Sequence, residues 1–503
     1  MKKPIFLVAL STAIVASTGI SFAQDVFRST SSPIDNYVYS DPFQDDEEEN
    51  EIPLLNEEEI SEQLKQFRAE LDSLKDSMSD SGSDAYSELS ETVSDYGETL
   101  EEHESLFGDR VIVGHGDQKM TLFGRVHVDW WTFPQHDPGI EALEGEDPRD
   151  RFNFRRMRFG VKGDVKDNMF YKIEIEFADG NNPSYRDAFL GFKNLPFFNT
   201  LTIGNHKRPY GLDHLNSSRY NVFIERPFII EAFNQDSRRI GISSRGHSDD
   251  ERYNWQYGVY HHELTQNTSG FISDHYQPEL AGRLAYVPWY DECSGGRGYW
   301  HLAVSGAVAF PDGLGGDENA ARYRTRVEAR TIERWLNTDR IEGADQVTLV
   351  GLENVFNVGA FQFVAEYQAL NLTRRAGFGD DVFLHGGYLY ASYFLTGEHI
   401  PWNRKTGTLG RVKPFENFWR VCDCDGLTQT GLGAWQVAVR YSFADLTDED
   451  IIGGVGNAVT FGLNWHWNAY ARMQANYIIG DVERDPIGGG DYQSFGTRFM
   501  IDF

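Results

Sequence analysis

Between Ala321 and Arg330 the chain reads A-R-Y-R-T-R-V-E-A-R, with Arg322, Arg324, Arg326 and Arg330 at even spacing. Tyr323, Thr325, Val327 and Ala329 fill the alternate positions, and only Glu328 interrupts the basic series. In extended backbone successive side chains point to opposite faces, so such spacing lines one wall with guanidinium groups. Eight steps at ~3.3 Å cover roughly 26 Å, close to the ~25 Å apolar band of an outer-membrane barrel. Arginine keeps its charge and presents forked donors that bind oxyanions bidentately. Conduction also needs several sites of similar, modest depth, which a ladder supplies and a single deep pocket does not. Two chemistries therefore fit the segment: an anion track across a membrane, or a solvated strand face in a soluble β-domain. Arginine–carboxylate pairing would cancel the track's field, so Glu328, Glu353 and Glu366 are its candidate neutralisers.

Such a ladder needs elements to hold it. From Gln118 onward apolar and polar residues alternate with period two. Leu122, Gly124, Val126, Val128 and Trp130 interleave with Phe123, Arg125, His127 and Asp129; Trp435, Val437, Val439 and Tyr441 interleave with Gln436, Ala438 and Arg440. Sixteen or seventeen such runs, separated by Gly/Asp/Asn-rich turns, describe a transmembrane β-barrel, and even closure selects 16 strands. The last run, Phe495, Thr497, Phe499, Ile501 and Phe503 against Gly496, Arg498 and Asp502, finishes on an aromatic, like the assembly signal of bacterial outer-membrane proteins. Trp130, Trp131, Trp289, Tyr290, Trp465 and Trp467 fit interfacial girdles.

Upstream the pattern differs. Ile5 to Ile20 is apolar, preceded by Lys2 and Lys3 and followed by Ser21-Phe22-Ala23, which reads as a signal peptide cut after Ala23. An N-terminal membrane helix is the other reading of these residues. The formal net charge is -31, and from Asp41 to Glu104 there are 23 Asp and Glu against three basic residues, a net of -20. Residues 24–55 read as an acidic disordered linker. Ile60, Leu64, Phe67, Leu71, Leu74 and Met78 are spaced 4-3-4-3-4, and a shifted seam runs Tyr86, Leu89, Val93, Tyr96, Leu100. This spacing predicts a short periplasmic α-helical coiled coil over 56–107, with a helix folded back on the main domain as the alternative.

Enzyme signatures are not evident. Gly488-Gly489-Gly490 lies between strands and lacks the helix a phosphate cradle needs. His261, His262 and Glu263 are adjacent on a strand and face opposite ways, which is no zinc motif. Cys293, Cys422 and Cys424 form an odd set that permits at most one bridge from Cys293, and the C-D-C triplet has no neighbouring ligand at metal spacing. No cofactor, metal or nucleic-acid role is expected.

Several segments resemble the phosphate-selective porin O and P family, from about Leu122 to Phe503. They are F-R-R-M-R-F-G-V-K-G at 154–163, I-G-N-H-K-R-P-Y-G-L at 203–212, S-S-R-Y-N-V-F-I-E-R-P at 217–227, A-S-Y-F-L-T-G-E-H at 391–399, R-V-K-P at 411–414 and R-F-M-I-D-F at 498–503. The resemblance implies an all-β, 16-stranded antiparallel trimeric channel over 118–503, set in outer-membrane lipid and passing phosphate-like or polyphosphate-like anions. It implies an anion pathway of Arg322, Arg324, Arg326, Arg330, Arg155, Arg156 and Arg125. For the constriction it implies lysines, where this chain offers Arg219 in the in-folding loop and Lys413 or Lys405 as the second cation. Two other functions stay open: an outer-membrane structural protein whose coiled coil tethers the barrel to the cell wall, and a secreted β-rich binding protein.

Overall fold

The computed structural model describes residues 112–115 and 118–503, apart from 167, 179–182, 235–237, 264–274, 313–320 and 423–427. The chain divides into two units, Met1–Asp95 and Tyr96–Phe503, and every described residue belongs to the second. The expected signal peptide, acidic linker and coiled coil lie outside the described residues.

Seventeen strands share the main sheet. The short strand Ile112–His115 pairs only with the start of Gln118–His136, and the remaining sixteen close on themselves. In chain order these are β1 (Gln118–His136), β2 (Arg151–Val165), β3 (Met169–Glu176), β4 (Ser184–Leu195), β5 (Asn199–Lys207), β6 (Arg238–His247), β7 (Tyr253–His261) and β8 (Pro278–Tyr290). They continue as β9 (Gly298–Ala309), β10 (Ala344–Val358), β11 (Phe361–Arg374), β12 (Val382–Phe394), β13 (Ala434–Asp448), β14 (Ile451–His466), β15 (Ala471–Arg484) and β16 (Gly488–Asp502). Each pairs antiparallel with its neighbour, and β1 closes the ring on β16 with Arg125 opposite Asp502 and Trp130 opposite Thr497. An even, antiparallel ring brings the first and last strands to one rim, called here the terminal rim; the opposite one is the loop rim.

The alternation of the sequence sets the two faces. Phe152, Phe154, Leu284, Leu352, Phe461 and Ile501 project outward and are exposed, whereas His127, Asp129, Glu174, Gln368, Ser442, Thr460 and Asn464 are buried inside. Apolar outside and polar inside is the arrangement a bilayer demands, because closure pairs the strand edges and lipid covers the apolar face. No described helix is long and apolar enough to cross a membrane.

The hydrophobic core lies within the barrel. The connection 208–237 enters from the loop rim and carries α1 (Leu212–Leu215) and α2 (Phe228–Phe233). Phe228, Ile229 and Ile230 are fully buried, and Phe223 meets Tyr390 of β12 edge-on at 5.6 Å. The connection 310–343 also enters from the loop rim, placing Trp335 edge-on to Tyr492 of β16 at 5.2 Å and Tyr323 against Phe233 at 5.6 Å. Each buried aromatic or aliphatic side chain contributes roughly 1.5–3 kcal/mol to holding these connections inside.

One expectation needs correction here. The Ala321–Arg330 segment is not a membrane-spanning strand: it belongs to the 310–343 connection, and its only ladder pairing is Arg324–Thr325 with Leu336–Asn337. The alternation survives nonetheless. Tyr323, Thr325 and Val327 are buried, the first two against α2, while Arg322, Arg324 and Arg326 are half-buried on the other face. Glu328 adopts φ 61°, a left-handed conformation costly for a side chain of its size, and so breaks the phase. Val327, Glu328 and Ala329 are consecutively buried, and Arg330 returns to the half-buried face. Cys293 is a free, exposed thiol.

Candidate functional site

Between the infolded connections and one side of the barrel lies a cavity of about 490 Å³. Sixteen Arg and Lys side chains line it against three carboxylates, those of Asp187, Glu225 and Glu231. All its strand residues come from β1–β8, from Arg125 through Arg158, Lys172, Arg186 and Arg245 to Arg283. The inward faces of β9–β16 do not reach it, because the infolded connections cover them.

The 208–237 connection, which narrows the lumen, is held at both ends of α1 by buried side chains of the wall. Glu366 of β11 accepts the Leu212 and Asp213 backbone N–H groups at 3.1 and 3.3 Å, and its remaining capacity is filled by the Gln368 amide at 2.8 Å and the Tyr388 hydroxyl at 2.9 Å. At the other end Lys207 Nζ donates to the carbonyls of His214, Leu215 and Asn216 at 2.7, 2.8 and 2.9 Å. An acceptor at the first amides and a donor at the last carbonyls satisfy the unpaired backbone groups of the helical turn. Gly211 makes the approach possible: φ is 81°, and a Cβ there would lie 2.7 Å from Gln368 Nε2 and 3.1 Å from Glu366 Oε1. From the terminal rim a further insertion reaches the lumen, where Arg283 donates to the carbonyls of Thr406 and Gly407.

Among the residues singled out from sequence, Arg125, Arg155, Arg156, Arg219, Arg326, Arg330 and Lys405 line this cavity. Arg155 grips Glu225 bidentately at 2.7 and 3.0 Å, and Arg326 reaches Glu231 at 3.2 Å. Arg125 pairs with Glu174 and donates to the Ser218 hydroxyl at 2.8 Å. Arg219 is drawn to Asp502 at 3.0 Å, a carboxylate that Arg411 also engages. Lys405 stands 3.4 Å from Glu251. Three fall elsewhere: Arg322 bonds Asn337 and Asp339 at the outer end, Arg324 is not on the cavity wall, and Lys413 is exposed away from it.

Among the described residues Arg156, Arg245 and Arg330 line the cavity with no carboxylate in ion-pair distance; Arg156 instead lies 3.4 Å from His127 Nδ1. Arg330 loses its proton unusually easily, at about 10, because the Arg155 charge beside it and its burial both disfavour a second cation. Burial alone would push the Glu225 carboxyl up, yet the charges of Arg155 and Arg498 hold it well below its ordinary range.

The three suspected neutralisers face elsewhere. Glu328 binds Arg440 and the hydroxyls of Ser442 and Thr460, stapling the arginine segment to β13 and β14. Glu353 binds Arg283 at 2.6 Å, and Glu366 holds α1. Sequence reading passed over Arg158, Lys172, Arg186, Arg238, Arg245 and Arg283. Their signal was strand phase: Lys172 alternates with Ile173 exactly as the polar face of β3 requires, and Arg158 follows Arg156 by two.

A family model described as phosphate-selective porin O and P matches residues 124–503. An uncharacterised protein of Caulobacter vibrioides is 29% identical over 410 residues, covering 77% of this chain and 75% of that protein. Porin O of Pseudomonas aeruginosa is 27% identical over 164 residues, 30% of this chain and 34% of that one. Among solved structures, the anion-selective porin from Comamonas acidovorans covers 76% of this chain and 99% of its own at 14% identity, with a TM-score of 0.46.

Proposed function

The chain belongs to the phosphate-selective porin O and P family and is an outer-membrane porin, and from that premise we propose that it conducts oxyanions of the phosphate class along its arginine-lined lumen. The observation that carries this reading is the composition of the cavity, sixteen basic side chains to three acidic ones. Arg326 and Arg330 also line an outer depression with Arg151 and Asn153, so the same two guanidinium groups serve the mouth and the inner chamber. From there Arg155, Arg156, Arg158 and Arg125 follow one another down the inward faces of β2 and β1.

A row of forked donors offers an oxyanion successive sites of comparable strength, so that each release is matched by the next capture. The chain's acidity does not oppose this. Roughly two thirds of the net charge of -31 lies in residues 41–104, and local placement within a low-dielectric wall governs selectivity. Arg219, where the family resemblance leads one to expect a lysine, engages Asp502, which leaves the constriction to Arg125, Arg156 and Lys207. The same resemblance supports a homotrimer as the working assembly.

Reversal potentials of the purified protein in planar bilayers under a potassium chloride gradient test the reading. Chloride should permeate far better than potassium, and inorganic phosphate should reduce the chloride current at low concentration. A cation preference would overturn it.

A further inference from the structure

The two glutamates that the constricting connection brings to the arginines are held differently. Glu225 is gripped by Arg155 at 2.7 and 3.0 Å and by Arg498 at 2.7 Å, with its side chain 13% exposed. Glu231, on α2, lies 3.2 Å from Arg326 Nη1 and 3.5 Å from Arg334 Nε, with its side chain 27% exposed. Its other oxygen accepts the Arg326 backbone N–H at 3.2 Å and the Thr325 hydroxyl at 3.4 Å. Charge-assisted bonds of full strength run at about 2.7–2.9 Å. Every polar contact of Glu231 is longer than that, and water reaches it.

Arg326 and Arg334 are also the guanidinium groups that, with Arg330, face the lumen where the arginine segment meets the constricting connection. A carboxylate on a short tether offers the same charge and the same two-oxygen geometry as a solute oxyanion, at a high effective concentration. We propose that Glu231 is a built-in competitor for the outer oxyanion site, resting on Arg326 and Arg334 between passages and giving way to the permeating anion. This rests on the anion-conducting reading above. Its effect is to keep the site shallow: three clustered arginines without a counter-charge would hold an oxyanion too long for it to leave. No bond is made or broken; the arginines change partners.

The experiment measures the concentration of inorganic phosphate that halves the chloride current through the full chain in planar bilayers. Glu231→Gln keeps volume and hydrogen-bonding capacity and removes the charge; it should lower that concentration about tenfold and lengthen individual blocks. Arg334→Gln, which leaves Glu231 in place and removes a donor, should raise it about fivefold. An unchanged half-blocking concentration in either variant overturns the proposal. If the glutamine variant at 231 does not assemble, Glu231→Ser, which also removes the charge, takes its place with the same expected fall. Wild-type selectivity for cations overturns the conduction reading itself, whereas anion selectivity with indifferent variants overturns only the role of Glu231.

Discussion

The two halves of the barrel wall are built on different principles. The inward faces of β1–β8 carry ion networks: Arg158 on Glu176 at 2.6 Å, Arg238 on Asp187 at 2.7 Å, Arg283 on Glu353 at 2.6 Å. Those of β11–β15 combine buried apolar side chains such as Val364, Leu384, Tyr390 and Ile478 with neutral polar groups that bond one another, Gln436 to Ser392 at 3.1 Å, Asn464 to Gln436 at 3.0 Å, Gln474 to Asn464 at 2.7 Å. The first half faces the cavity; the second is covered by the infolded connections. A charge facing water keeps much of its solvation, whereas a charge covered by protein must find a partner or cost several kcal/mol. Neutral amides and hydroxyls satisfy one another without that demand. Where arginine does occur on the covered side it binds a carboxylate or a carbonyl, Arg440 on Glu328, Arg498 on Asp129 and Glu225, and Arg472 on the Asn221 backbone oxygen. Charge density in the lumen therefore follows exposure to the pathway rather than the strand order.

The contrast can be broken most forcefully at its junction. Glu328→Ala leaves Arg440 buried without its counter-charge, and should destabilise the docking of 310–343 by about 3–5 kcal/mol. Limited proteolysis should then cut within that connection while the barrel stays intact; resistance equal to wild type would refute the staple. Glu366→Gln replaces an accepting oxygen with a donor facing donors and should loosen α1 by about 1–3 kcal/mol. Single-channel recording should show larger, noisier conductance with unchanged strand content by circular dichroism.

On the cavity side, Arg330→Gln removes a guanidinium that has no carboxylate partner among the described residues. Its loss should weaken oxyanion occupancy by about 1 kcal/mol, roughly fivefold in half-blocking phosphate, with thermal stability unchanged or slightly raised because Arg155 loses a like-charged neighbour. The smallest change is expected from Ser392→Ala, which removes one bond from the covered amide chain. It should cost about 1 kcal/mol of stability and leave ion selectivity untouched; a shift in reversal potential would show that the covered wall participates in conduction.

How far the sequence carried this architecture depends on the kind of signal. Period-two alternation in runs such as Trp435–Phe443 is a property of each strand alone, so the barrel, its closure at 16 and the direction each side chain faces were legible. The same periodicity misplaced Ala321–Arg330, because an extended segment packed against a wall alternates like a strand within one. What separates the two is ladder pairing, here confined to Arg324 and Thr325, and the positive φ at Glu328, neither of them visible in sequence. Partnership was the least legible quantity. Glu366 read as a carboxylate opposing the ladder, yet it binds amides 154 and 153 residues away. Arg219 read as a constriction cation, and Asp502, 283 positions on, draws it aside.

The covered half-wall has an engineering consequence. A ring of sixteen strands fixes the gauge of the shell, but the bore is whatever the inserted connections leave open, and they rest on a surface that is part apolar and part polar. Shortening 310–343 would therefore bare apolar side chains such as Tyr492 beside hydroxyls such as Ser442 and Thr460, so the trim has to be matched by polar substitutions on the wall. Such a shell can be re-bored by trimming its lining, with no strand added or removed.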